Sequence, residues 1–161
     1  MRKAAPMLNL SKPQLEHFCD LQVQLDAPIE LGTGSAGRRR IIPIIGGTAS
    51  GPHFEAKILN LGADWQTQFA GGAAHLDTRY ALETEDGAAI EIINRGFRHG
   101  PPQIMASLAA GEKVASDSYY MRTHATLETG DERYSWVNNH VFVGTGARNQ
   151  NTVDMRLFVV R

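Results

Sequence analysis

The chain has little that would tie it to a redox or zinc scaffold: a single cysteine, Cys19, stands among 161 residues. An intrachain disulfide is therefore excluded, and so is a zinc site built from several thiolates. An excess of charge of one sign is also missing, since 16 Lys and Arg face 17 Asp and Glu. No bulk field draws the chain to nucleic acid or to an anionic membrane, and a small molecule or another protein is the expected partner. Long apolar runs are absent as well. Nothing approaches the ~20 residues of a membrane helix, and the basic start MRKAAP is not followed by the apolar segment of a signal peptide. These absences lead to the expectation of a cytoplasmic protein.

What the sequence does have is glycine, 16 in all, gathered in ELGTGSAG, IIGGTASGP, FAGGA, NRGFRHGPP and VGTGARN. Between these clusters lie short segments rich in β-branched and aromatic residues, the punctuation of an all-β fold. The pattern predicts strands over 17–30, 39–45, 53–60, 64–69, 74–83, 88–96, 119–128, 134–143 and 151–160. One segment, PPQIMASLAAGE (101–112), reads as a helix, with proline at its start and Gly111 as its stop. The length suits one domain, spanning 15–161, preceded by a loosely held arm over 1–14 that contains Pro6 and Pro13. A closed barrel and a two-sheet sandwich both fit this strand count.

Period-two alternation sorts side chains onto faces. In YSWVNNHVFV, Tyr134, Trp136, Asn138, His140 and Phe142 fall on one face, opposite an aliphatic row. Aromatic rings mixed with Asn and His suit a ligand cavity, or else a surface face with aromatic cross-strand pairs. In YYMRTHATLE, Tyr120, Arg122 and His124 oppose Met121, Thr123, Ala125 and Leu127. In AHLDTRYAL, the row His75, Asp77 and Arg79 opposes Leu76, Thr78 and Tyr80, so Tyr80 and that row cannot line one cavity.

Several segments carry tempting chemistry. The pair His75 and Asp77 has one-face spacing suited to a metal or a general base, but further ligands lack any recognisable spacing, so no metal site is expected. A salt bridge from Asp77 to Arg79 is the expected outcome. GRRRII places Arg38, Arg39 and Arg40 at a strand entrance, suited to binding a carboxylate or phosphate or, alternatively, to a solvated loop with one arginine turned inward. GTGSAG lacks the Lys-Ser/Thr ending of a phosphate loop and reads as a turn. Cys19 has no histidine partner in sequence and reads as packing. Asp64 and Trp65 stand together at a strand start, with structural and ligand-binding roles both open.

The ordered blocks GRRRIIPIIGGTASGP, GADWQ, RYALETEDGAAIEIINRGFR, YYMRT and YSWVNNHVFVGTGAR together resemble the family called domain of unknown function 3237, from about Leu15 to Arg161. The chain departs from that pattern at Leu61 and Ala56, where glycine is common. The resemblance implies a small, single antiparallel β-barrel, similar in architecture to allene oxide cyclases and calycin-like barrels, with one short helix. It also implies matching positions at Arg39, Asp64, Trp65, Tyr80, Asn94, Arg98, Arg122, Trp136, Asn138 and Arg148.

Two functions are expected from these residues. In the first, a cofactor-independent cyclase, isomerase or lyase transfers a proton on a small aromatic or carbonyl metabolite. Asp64 and Arg122 are then the catalytic pair, with Arg39, Trp65, Tyr80, Arg98, Trp136, Asn138 and His140 binding the ligand. In the second, the same residues hold a ligand without converting it. A third, oligomeric reading follows from sheet edges that must be paired or covered, which would make the protein a homo-oligomer.

Overall fold

The computed structural model describes residues 3–161. Its elements in chain order are β1 (Leu15–Leu25), β2 (Ile29–Gly34), β3 (Gly37–Ser50), β4 (Glu55–Gln68), β5 (Ala74–Thr84), β6 (Ala89–His99), α1 (Pro102–Ala109), β7 (Tyr120–Glu128), β8 (Phe142–Arg148) and β9 (Thr152–Val160). Every pairing is antiparallel, and the order β1-β9-β8-β7-β6-β5-β4-β3 closes on itself through pairing of β1 with β3. Eight strands thus form a closed barrel, and β2 is a ninth strand hairpinned onto the first half of β3. Closure removes the unpaired edges that an open sheet of this size would expose. Residues 3–14 carry no helix or strand and are exposed.

The alternation read from sequence places the inward row of β5 at Ala74, Leu76, Tyr80 and Leu82, all buried. On β7 the inward row is Met121, Thr123, Ala125 and Leu127. His75, Asp77, Arg79 and Arg122 consequently face outward. Asp77 pairs with Arg95 of the neighbouring strand at 2.8 Å, and Arg79 with Glu91 at 3.0 Å, rather than with each other. Arg95 lies directly opposite Asp77 and Glu91 lies diagonally across from Arg79, so cross-strand partners take both charges, which corrects the expected Asp77–Arg79 bridge.

Three further expectations are corrected. The segment over 17–30 is two strands, broken at Asp26, Ala27 and Pro28, where Asp26 Oδ1 accepts from the Ala27 amide at 2.7 Å and proline cannot extend the ladder. The two strands expected over 53–60 and 64–69 are one strand with a bulge. Ile58 opposes Leu82 and Gly62 opposes Tyr80, so three residues on β4 face one on β5. The expected strand over 134–143 is a 3-10 helix at Ser135–Asn139, followed by β8. The side chain of Asn138 holds that turn by accepting from the Thr129 amide and donating to the Thr129 carbonyl, both at 2.9 Å.

The turn closes one end of the barrel. Phe18 packs there on Phe142, Phe54 and Trp136, with ring centroids 4.8, 5.4 and 5.7 Å away. Tyr134 and Val137 are buried in the same layer. At the other end, the rim is made by the start of β3, the end of β4 and the ends of β6 and β8. There α1 lies across the opening with Met105 and Leu108 buried beneath it.

Candidate functional site

The open end of the barrel holds a polar chamber in an otherwise apolar interior. Val23, Leu25, Ile42, Ile44, Leu76, Met121, Val153 and Met155 form its walls, and Asp64, Gln66, Thr78, Tyr80, Asn94, Arg98, Thr123 and Arg148 bring polar groups into it. Its volume is about 50 Å3, enough for a few water-sized groups. A vestibule of about 90 Å3 adjoins it under α1, lined by Arg40, Gln68, Gly72, Met105, Leu108 and Ala109. Arg98 and Arg148 line both spaces, so they stand at the junction.

Strand parity puts Asp64 here. It lies two positions beyond the bulge on β4, with Gln66 on the same inward face one pleat nearer the mouth. Gln66 Nε2 donates to Asp64 Oδ2 at 2.9 Å, and the Asp77 backbone N–H donates to Asp64 Oδ1 at 2.9 Å. Gln66 is oriented in turn by Arg40, whose Nε donates to Gln66 Oε1 at 2.9 Å. Asp64 is 7% exposed. Burial raises its carboxyl above the ordinary value, and the Asp77 amide, Gln66, Arg98 and Arg40 partly oppose that rise.

The arginines are held under strain of the same kind. Burial lowers Arg98 to about 10, and the like charges of Arg148 and Arg40 add to the effect. Arg40 and Arg148 are lowered chiefly by burial too. Among the described residues, none of the three makes an ion pair with Asp64, although its charge acts on all of them, and only Arg40 makes one with another carboxylate, Glu30 at 4.0 Å. Among the described residues, four buried side-chain atoms have no hydrogen-bond partner, and three belong to residues that line the chamber: Arg98 Nε, Asn94 Oδ1 and Thr123 Oγ1. Buried polar groups are nearly always satisfied, so three orphans facing one space mark a place where a polar ligand or water completes them.

A larger concavity, about 610 Å3, lies on the outer wall beside Asp20, Arg122, Asp154 and Arg156. It is open to solvent and its cations are engaged: Arg156 pairs with Asp20 at 2.7 Å, and Arg122 donates to Thr145 Oγ1 at 2.9 Å. The smaller chamber, with its unpartnered polar atoms, is the candidate site. Among the described residues there is no group of three or more His, Cys, Asp and Glu arranged to hold a metal, and no helix long and apolar enough to cross a membrane.

Of the residues singled out from sequence, the structure brings Asp64, Tyr80 and Arg98 into this chamber. Arg122 is on the outer wall, because β7 turns Met121 and Thr123 inward. Trp65, next to an inward Asp64, necessarily faces out and is 46% exposed. Arg39 faces out between inward positions, while its neighbour Arg40 turns in, the alternative foreseen for GRRRII. Trp136, Asn138 and His140 belong to the opposite, closed end, where His53 and His140 flank the Trp136 ring at 5.1 and 5.4 Å. The convergence of all these residues on one cavity is therefore corrected: the barrel separates them by face and by end.

Sequence reasoning named Arg40 only within the GRRRII cluster, missed Gln66 and Thr123, and gave no site role to Asn94 or Arg148. Parity relative to Tyr80 would have found several of them. Thr78 and Tyr80 share a face on β5, Asn94 opposes Thr78, and Arg98 follows Asn94 by four residues.

The chain is similar over most of its length to known proteins. The family model described as protein of unknown function (DUF3237) matches residues 13–160. A UPF0311 protein of Clostridium acetobutylicum is 36% identical over 153 residues, covering 94% of this chain and 97% of that protein. A solved β-barrel-like protein from Acinetobacter baumannii shares 42% identity and a TM-score of 0.84 over 96% of this chain and all of that one. An enzyme from Penicillium herquei, 19% identical with a TM-score of 0.72 over 97% of this chain and all of that one, shares the fold alone. With the closed barrel in place and the match spanning nearly every residue, this chain belongs to the family described as protein of unknown function (DUF3237).

Proposed function

We propose that the barrel admits a small carbonyl-bearing metabolite to the mouth chamber and transfers a proton on it, the chemistry of a cyclase, isomerase or lyase. Asp64 is the acid–base group. It takes a proton from carbon next to the carbonyl, the C–H pair becomes C=C, and the oxygen gains the negative charge that Arg98 meets. Asp64 then returns the proton at another atom. The electron pair stays on the substrate throughout, so the step needs no electron donor or acceptor.

The single observation that carries this reading is a buried carboxyl raised by its surroundings in the same chamber as a guanidinium with an unpartnered Nε. A raised carboxyl is better matched to proton transfer near neutral pH than an ordinary one, and a preoriented cation acts strongly in a water-poor site. One observation favours a barrel that only holds its ligand: each Asp64 oxygen already accepts a hydrogen bond. Deuterium exchange separates the two. Neutral and acidic carbonyl probes, from cyclohexanone to pyruvate and phenylpyruvate, are incubated with the protein in D2O and followed by proton NMR. Catalysed C–H exchange that Asp64→Asn abolishes supports proton transfer; binding without exchange supports the holding barrel and overturns it.

A further inference from the structure

We propose that Arg148 and Arg98, with Arg40 behind them, clamp the carboxylate of a small hydroxy- or oxo-carboxylate at the barrel mouth, its second oxygen function reaching Asn94 and Thr123. This rests on the chamber being the ligand site, and it stands whether or not Asp64 moves a proton.

The charge at the mouth favours an anion. Three guanidiniums, Arg40, Arg98 and Arg148, share the chamber and vestibule. The carboxylates within their reach are Asp64 inside and Glu30 outside, the latter 4.0 Å from Arg40 and also paired with Arg38 at 3.2 Å. Counted with Arg38, which shares Glu30, four guanidiniums stand against those two carboxylates, so positive charge is in excess at the mouth. A ligand that must also reach Asn94 and Thr123 past apolar walls is an organic carboxylate rather than inorganic phosphate. Like charges packed this closely repel, and each arginine is also partly desolvated; an anion seated among them relieves both. Arg40 already spends its Nε on Gln66. Arg98 and Arg148 have no side-chain partner among the described residues, and Arg98 is 5% exposed with its Nε unpartnered.

The deeper end supplies the rest of the specificity. Asn94 and Thr123 are 4% and 8% exposed, and each has one side-chain oxygen without a partner in the protein. They lie beyond Arg98 on the path inward, so a ligand anchored by its carboxylate at the mouth extends its second oxygen to them. Leu76, Ile42, Met121 and Met155 give that path apolar walls. A neutral ligand of the same shape leaves the cationic pair desolvated and unmatched, which makes the site select by charge.

The test is titration of the isotopically labelled full-length protein with sodium lactate, pyruvate, mandelate and phenylpyruvate, with lactamide and mandelamide as neutral counterparts and with inorganic phosphate. At least one carboxylate is expected to shift the Asn94 and Thr123 signals, to bind at least about tenfold more tightly than its amide, and to bind more tightly than phosphate. Arg148→Met and Arg98→Met are each expected to weaken it by about tenfold or more, whereas the outer-wall variant Arg79→Met leaves it unchanged. Should Arg98→Met fail to fold, Arg148→Met decides alone, its side chain being only partly buried. Equal binding of carboxylate and amide, tighter binding of phosphate, no shift with any probe, or insensitivity to Arg148→Met overturns the proposal. Carboxylate binding by the wild-type protein with no catalysed deuterium exchange, or with exchange that survives in Asp64→Asn, sustains the clamp while defeating proton transfer by Asp64.

Discussion

Gln66 donates to Asp64 at 2.9 Å from two residues further along the same strand, so a side-chain amide on that strand face fixes one oxygen of the buried carboxyl. The direction of this bond is set from outside, because Arg40 needs the other end of the Gln66 amide. Removing the donor should therefore act on Asp64 titration. Gln66→Leu takes away a hydrogen bond to the charged form, worth about 1.5 to 3 kcal/mol, and should raise the Asp64 pKa by at least about one unit. Carbon-detected NMR titration of the Asp64 carboxyl measures it, and an unchanged or lowered pKa would show that Gln66 does not hold the ionised form.

The pH dependence of stability has two limbs of opposite sign. Asp20 is lowered to about 2, first by its hydrogen bond from Arg156, so its contribution is present above the unfolded-chain value and is lost as pH falls towards 2. Asp64 is raised by burial, so the native state keeps a proton that the unfolded chain releases. Its contribution is full below about pH 4 and is lost as pH rises through its folded-state pKa. Urea midpoints of the wild type minus those of Asp64→Asn should decline above about pH 4 and level off once Asp64 is ionised. A difference curve flat across that range would contradict a raised Asp64.

The bulge in β4 returns to the sheet at Gly62, whose φ of 117° lies where side chains are strained. A Cβ there would also meet the Arg79 carbonyl and Tyr80. Gly62→Ala should cost at least about 2 kcal/mol of stability, read as a lower midpoint in chemical denaturation. A neutral outcome would mean that the bulge can be rebuilt without glycine.

The two tryptophans divide along the same lines. Trp136→Ala removes a ring packed on Phe18, His53, His140 and Phe142, and should lower stability by about 2 kcal/mol or more. Trp65→Ala removes a half-exposed ring on the outer wall and should cost under about 1 kcal/mol, with ligand binding intact. Loss of binding in Trp65→Ala would place part of the site outside the barrel.

The strands were legible where period-two alternation was clean, as in β5 and β7; there the sequence sorted side chains onto two faces, but on β7 it took the outward Arg122 for a site residue. Tyr80 and the opposed row His75, Asp77 and Arg79 follow from parity alone. It became illegible where parity was interrupted. The bulge at Leu59–Leu61 looked like a loop between two strands. The 134–143 segment alternated well enough to pass for a strand, but Asn138 bonds to the Thr129 backbone and makes it a turn. Barrel closure decided the rest. Asp64 and Trp65 are neighbours in sequence and cannot share a face, and Trp136 lies at the opposite end of the barrel from Asp64. Arg148 and Gln66 belong to the chamber only because β8 and β4 both end at the same rim, a relation no single segment records.

The most direct test of the account is solvent deuterium exchange into a bound carbonyl probe, compared between wild type, Asp64→Asn and Arg122→Gln. Proton transfer by Asp64 in the mouth chamber predicts exchange that falls by about 100-fold or more in Asp64→Asn and is unchanged in Arg122→Gln on the outer wall. Exchange that survives in Asp64→Asn and is lost in Arg122→Gln would contradict it and move the chemistry to the outer face.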